Sequence, residues 1–435
     1  MKQVLRLNSF FAGIGGFDLG LKRSGIEVSL HCEINPFCQS VLQRHWPETP
    51  LEKDITAIEP ANLPEAEIWA GGFPCQDVSV ARGWLGRDGL KGKRSGLFHA
   101  FLELIANRLP TVVLLENVTG LLSSHDGRDF EVIVKSLTDL GYGVAWRILN
   151  SRYFGAPQSR SRVFVCAWMG SVQRAVRVLY EDLASPPPAN ERAGFLRACK
   201  VTKSGAMVPE VGYCLAATSG RHTGTDWSRS YVSYADRVRR LTPGECEGLQ
   251  GFPKAWTLPE PDFHAIEDLD SLRYAALGNA VSVPVVEWIG ARVLREWTSR
   301  KARDVNGLSA LMPFPTLNPK TMLKLGGGEV GTGKFKWTSG GCAFGTDCLL
   351  TTVSPAPNAP IASKLGDLIE NGKIADKYFL SPNAAEGILR RVHSQGRTLF
   401  GPLEDALARL AESKYSQAAD LNSPIVAEGR QLLFA

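Results

Sequence analysis

Along residues 4–170, short apolar runs alternate with amphipathic stretches, and this alternation constrains the fold more than any other feature. Residues 4–10 read as a strand, followed by a glycine turn and a helix through Leu21. Residues 28–33 read as a strand, 35–44 as a helix and 68–71 as a short strand. A helix over 96–108, a strand over 111–116, a helix over 130–140 and strands over 144–149 and 163–168 follow. Strands alternating with helices in this way predict an α/β fold, a mostly parallel sheet with helices on both faces. The chain has 435 residues, enough for two or three domains.

Residues 171–271 break the pattern and carry the run Ser185-Pro-Pro-Pro188. Between residues 152 and 240 there are 14 Lys/Arg against 6 Asp/Glu, more than the whole chain's excess of +5, so the basic charge is concentrated there. Helical, apolar character returns over 274–294, and proline-rich and glycine-rich stretches follow residue 300. The expected organisation is one domain from residues 1–170 and 272–300, a smaller irregular one from 171–271, and an extension over 301–435. A chain ending at residue 305 is expected to fold.

Nine cysteines occur singly with no C-x-x-C pair, which argues against a structural zinc site, and no metal is expected. The first residues lack a signal peptide's apolar run, and no stretch of 18 apolar residues exists. A cytoplasmic chain with reduced thiols and no membrane contact is expected.

Four constellations carry chemistry. Phe11-Ala-Gly-Ile-Gly-Gly16 follows a strand and opens a helix, where glycines let the backbone approach a ligand; a purely structural turn has the same form. Glu33 ends the second strand, where a carboxylate suits ribose hydroxyls. Gly71-Gly-Phe-Pro-Cys-Gln76 places Cys75 in a loop just past a strand end. The next loop carries Arg82, Arg87, Lys91, Lys93 and Arg94 against Asp88, and such cations favour a thiolate, although a buried inert cysteine is the commoner case. Glu116 closes the apolar strand of Leu114-Leu-Glu-Asn-Val118, either as a proton donor with a raised pKa or as a cap on the next turn. In Gln158-Ser-Arg-Ser-Arg162, strand alternation puts Gln158, Arg160 and Arg162 on one face, suited to a phosphate or a base carbonyl, or simply to solvent.

In this order, and continuing with Arg240-Leu-Thr-Pro-Gly-Glu245, Leu249-Gln-Gly-Phe-Pro253 and Gly278-Asn-Ala-Val281, the motifs resemble the cytosine carbon-5 DNA methyltransferase family of bacterial and phage type. The resemblance covers residues 5–295. It implies methyl transfer from S-adenosyl-L-methionine to carbon 5 of a flipped cytosine in a specific duplex DNA site. Cys75 would attack carbon 6 as nucleophile, Glu116 would hold or protonate ring N3, and Arg162 would bind the base carbonyl with Arg160 in support. Phe11, Gly13, Gly15, Gly16, Glu33, Ile34, Asp54, Pro74, Leu97 and Asn279 would form the cofactor site. Ile34 stands where the family often places an aromatic over the adenine.

The cationic loop resembles the family's mobile loop that closes on DNA. Gln76, Arg82 and Arg94, with Arg221, Arg229, Arg237 and Arg239 in the recognition region, are the candidate DNA contacts. The resemblance further implies a monomer, acting in restriction–modification beside a separate cognate endonuclease or in phage DNA protection. An RNA cytosine methyltransferase of the same fold, a non-catalytic DNA-binding relative and a nicotinamide oxidoreductase are the rivals. The long recognition region, the intact Cys75, Glu116, Arg160 and Arg162, and the missing Gly-x-Gly-x-x-Gly fingerprint argue against them in turn. Residues 301–435 lie outside the resemblance, either as an appended segment or as a share in target recognition.

Overall fold

A computed structural model describes residues 4–74, 96–181, 195, 197–202, 204–220, 226–259, 268–299, 308, 321–327 and 336–421. The first elements are β1 (Arg6–Phe10), α1 (Gly16–Arg23), β2 (Glu27–Cys32), α2 (Pro36–His45), β3 (Leu51–Glu52) and β4 (Ile68–Gly71). Next come α3 (Leu97–Arg108), β5 (Val112–Val118), α4 (Arg128–Asp139), β6 (Tyr142–Asn150), β7 (Gln158–Ser159), β8 (Ser161–Met169) and α5 (Val172–Leu179). Five short strands follow: β9 (Ala198–Lys200), β10 (Met207–Pro209), β11 (Gly212–Tyr213), β12 (Tyr231–Ser233) and β13 (Val238–Arg240). Then come α6 (Pro243–Gln250), α7 (Leu269–Asn279) and α8 (Val283–Thr298). The last elements are β14 (Thr321–Lys324), β15 (Gly340–Phe344), β16 (Asp347–Thr351), α9 (Pro382–Ser394) and α10 (Gly401–Leu421).

The main sheet runs β14-β16-β15-β6-β8-β5-β4-β1-β2-β3. From β5 to β3 every pairing is parallel, and from β5 outward through β8, β6 and the last three strands every pairing is antiparallel. The apolar runs of β4 and of the first half of β5 are continuous because both faces are covered. Val113 and Leu115 face the core under α3 and α4, while Val112 and Leu114 face the core that holds α1, α5 and α8. Two glycines of α1 set how closely α8 and the residues leading into it dock. A Cβ at Gly16 would meet Val281 Cγ1 at 2.6 Å, and one at Gly20 would meet Val286 Cβ at 2.6 Å. A separate antiparallel sheet, β13-β12-β10-β9, forms the smaller body.

The segment after residue 300 is built into the main sheet. Strand β15 pairs antiparallel with β6, setting Cys342 opposite Ala145, and β16 and β14 continue the sheet outward. Trp337, Leu323 and Leu350 share the core of Phe130 and Trp146. Buried Arg147 donates to the carbonyls of Ser354, Ala356 and Leu179. The chain then crosses to the smaller body, where Leu365 and Ile369 enter one core and α9 and α10 pack on Tyr231 and Val238. These strands are five residues or fewer, and β15 opens on two glycines, so local periodicity did not reveal them. Gly341 owes its lack of side chain to Trp146, whose Cζ2 lies 2.2 Å from where a Cβ would stand.

Candidate active site

Strands β1, β2, β4 and β5 are parallel, so their carboxyl ends open on one edge, where open α/β sheets bind ligands. There a cavity of about 450 Å³ is lined by Phe11, Gly13, Glu33, Ile34, Pro74, Leu97, Glu116, Arg160, Arg162 and Asn279 among others. Its size falls in the range of small-molecule sites. Phe11 holds φ +53°, a left-handed conformation that costs a non-glycine residue about 1–3 kcal/mol. Gly13 follows at φ +57°, and a Cβ there would touch nothing within 4 Å, so its backbone is open to the cavity.

Glu33 sits at the end of β2 with both oxygens engaged from one side. Gly13 N donates to Oε2 at 2.7 Å and Asn35 N to Oε1 at 2.8 Å. Burial raises the Glu33 carboxyl above its ordinary range, against the opposing pull of N–H groups from Asn35, Gly13 and Ile34. Ile34 is 67% exposed, an apolar surface standing open at the cavity rim. Asp54 is exposed and does not line the cavity; its carboxylate accepts from Thr56 N and Oγ1. Burial, then the charges of Glu33, Glu52 and Asp54, push the thiol of buried Cys32 up to about 12. Gly15 and Gly16 also stand off the cavity wall. The Cβ position of Gly15 lies 2.7 Å from Trp46, so these two glycines serve packing.

On the far wall, Glu116 is 8% exposed and its Oε1 lies 3.1 Å from Arg162 Nε. Burial raises the Glu116 carboxyl above its ordinary range, with Arg162 and then Arg160 pulling the other way. The loop after β4 is held against it. Asn117 Nδ2 donates to Phe73 O at 2.9 Å, and Glu116 Oε2 is 3.5 Å from the Cβ position of Gly72. Pro74, the residue before Cys75, lines the cavity; Cys75, Gln76, Arg82 and Arg94 lie outside the described residues.

Alternation does bring Gln158, Arg160 and Arg162 together, all against Cys214 and Leu215. Gln158 Oε1 accepts from Leu215 N, Arg160 donates to Leu215 O, and Arg162 Nη2 is 3.9 Å from Cys214 Sγ. Arg160 is 2% exposed and also donates to the Gly278 and Ala280 carbonyls at 3.0 and 2.7 Å. It therefore ties the end of α7, with Asn279, to the strand that carries Arg162. Sequence reasoning missed Leu272, Ala275 and Ala276 on the cavity wall. Their only signal is the apolar character of the helix that ends at Asn279.

The candidate DNA contacts separate by burial. Arg237 is exposed. Arg229 is half-buried and donates to Ser219 O at 3.1 Å. Arg239 is fully buried and holds Glu245 in two bonds of 2.8 Å, which corrects the expectation that it touches DNA. Glu245 also closes a capping box with Thr242, so the Arg240–Glu245 motif builds the start of α6. Arg221 lies outside the described residues.

A family model described as C-5 cytosine-specific DNA methylase matches residues 5–196 and 192–295. Type II methyltransferase M2.BsuMI of Bacillus subtilis (strain 168) is 33% identical over 304 residues, spanning 66% of this chain and 74% of that protein. Type II methyltransferase M.NgoBI of Neisseria gonorrhoeae is 31% identical over 301 residues, spanning 64% of this chain and 89% of that one. A crystal structure of a Spodoptera frugiperda DNMT2 mutant aligns at TM-score 0.49 and 18% identity, covering 68% of this chain and 100% of that one.

Proposed function

The chain belongs to the C-5 cytosine-specific DNA methylase family, a DNA cytosine methyltransferase, and from that premise we propose which residues do the chemistry. The observation that carries the proposal is one cavity with Glu33 on one wall and the Glu116–Arg162 pair on another. The donor set fits S-adenosyl-L-methionine. Glu33 offers remaining lone pairs to the ribose hydroxyls, Ile34 an apolar face to the adenine, and the Gly13 backbone a close approach. Phe11, Pro74, Leu97 and Asn279 complete the wall. Bound there, the cofactor supplies an electrophilic methyl group.

Cytosine carbon 5 is a poor nucleophile until a thiolate adds to carbon 6 and breaks the ring's conjugation. Cys75, next in sequence to Pro74 on the cavity wall, is that nucleophile. Glu116 donates a proton to ring N3, which neutralises charge as the adduct forms; its raised pKa supports this role. Arg162 binds the base carbonyl, and Arg160 positions Arg162 and the α7 terminus. Loss of the carbon-5 proton to a base then expels the thiolate. The target base must leave the duplex stack to reach this depth. The reading extends to a cytoplasmic monomer acting beside a separate cognate endonuclease; among the described residues no helix is long and apolar enough to cross a membrane.

The test is transfer of labelled methyl to duplex DNA and to transfer RNA, with bisulfite sequencing to locate the product. Wild type labels duplex DNA at one site, and Cys75→Ser abolishes transfer while keeping specific DNA binding. DNA carrying 5-fluorocytosine traps the wild type as an adduct stable to denaturation. Full activity of Cys75→Ser would remove the covalent mechanism.

A further inference from the structure

The family match ends at residue 295, yet the smaller sheet is built over by chain that comes later. On one side Leu365 and Ile369 pack with Val208 and Val232; on the other Leu380, Ile388 and Leu407 pack with Tyr231 and Val238. Both turns flanking β12 are held by the same segment. In the β12–β13 turn, Arg409 Nε donates to Ala235 O at 3.0 Å, and at its end Leu380 N donates to Val238 O at 2.8 Å. In the turn before β12, Arg391 Nε donates at 3.0 Å to Asp226, a buried carboxylate that also accepts from Tyr231 OH.

At the rim of this seam two guanidinium groups lie on aromatic rings. Arg237 is 4.9 Å from the Phe379 centroid, and Arg397 is 4.5 Å from that of Trp227. In the first pair the late segment supplies the ring, and in the second it supplies the cation. Both arginines are exposed. A guanidinium over an aromatic face is attracted to the ring, and its planar N–H fork suits phosphate oxygens. Asp236, exposed and 3.7 Å from Arg237, is too well solvated to neutralise it. Each charge thus stands over a ring at the seam between the smaller sheet and the late segment.

We propose that the segment beyond residue 300 forms part of the DNA-recognition surface, with Arg237 and Arg397 as two contacts to the duplex phosphate backbone. The proposal rests on the reading of the chain as a duplex-DNA methyltransferase. Its test uses the full chain and Arg237→Gln, Arg397→Gln and the double variant, measuring duplex affinity against salt, KM for DNA and cofactor affinity. Each substitution should flatten the slope of log affinity against log salt by about 1, and the double variant should raise KM for DNA roughly tenfold. Cofactor affinity and melting temperature should stay at wild-type values. A double variant with wild-type salt slope and KM for DNA overturns the proposal. So does a joint loss of DNA binding, cofactor binding and thermal stability, because the arginines would then be holding the fold. A wild-type chain that binds duplex DNA without methylating it fails the functional reading instead, and the salt slopes still decide the contact.

Discussion

Burial and an ion pair oppose each other at Glu116, and the balance sets its protonation. Burial is the larger influence and raises the pKa, with Arg162 at 3.1 Å opposing. A carboxyl raised in this way binds its proton more tightly in the folded than in the unfolded chain. Its contribution to stability is therefore fully present at acid pH and lost as pH rises through the raised pKa. Glu116→Gln, which does not ionise, should lack that slope, so its melting temperature should gain on wild type as pH rises above the ordinary carboxylate range. The same variant should lose methyl transfer by at least about 100-fold while retaining DNA affinity. An unchanged rate would show that Glu116 is not the proton donor. Glu33 acts on the other ligand. Glu33→Ala should weaken S-adenosyl-L-methionine binding by roughly 1–3 kcal/mol, the scale of charge-assisted hydrogen bonds. Calorimetry with Glu33→Gln, which keeps one acceptor for Gly13 N or Asn35 N, separates ribose binding from support of the glycine turn. Equal affinity for all three proteins would exclude Glu33 as the ribose ligand.

Among the elements, those that end at the cavity were legible in the sequence and those that brace them were not. Strands β1, β2, β4 and β5 each carry a buried stretch, and a charged or glycine residue at its end stands out. Glu33, Glu116 and the glycine turn were found that way. Arg239 was misread because sequence displays charge and not burial; its partner Glu245 was visible only as part of a motif. Leu272, Ala275 and Ala276 look like any apolar helix face. The β15–β16 hairpin was hidden because its partner β6 lies some 190 residues earlier, and long-range pairing leaves no local period. Trp337 shows how strongly the hidden element is tied in. Its ring meets Phe130 at 4.9 Å and Trp146 at 5.2 Å, and its indole N–H donates to Gly127 O at 2.7 Å. Trp337→Ala should cost about 3–5 kcal/mol, read as a lower denaturation midpoint. A midpoint within error of wild type would mean the hairpin packs loosely.

At the scale of the whole molecule, the late segment makes one structure of two bodies. Removing it uncovers the β6 edge and strips Leu323, Leu325, Trp337, Ala343, Cys348 and Leu350 from the main core. It also removes two of the carbonyl partners of Arg147, a guanidinium 3% exposed. In the smaller body it uncovers Tyr231 and Val238. Burying one large apolar side chain stabilises by about 1.5–3 kcal/mol, while a whole domain is stable by only about 5–15 kcal/mol. Losing the four large side chains Leu323, Leu325, Trp337 and Leu350 alone reaches that range, before the lost hydrogen bonds of Arg147 are counted. A chain ending at residue 305, which the sequence led us to expect would fold, is therefore expected to be insoluble or to unfold without a cooperative transition, and to bind no S-adenosyl-L-methionine. Co-expressing residues 306–435 as a separate chain should recover soluble protein, because the missing contacts are packing contacts and do not depend on chain continuity. A soluble 1–305 chain with a sharp melting transition and wild-type cofactor affinity would show that the late segment is dispensable for the fold after all.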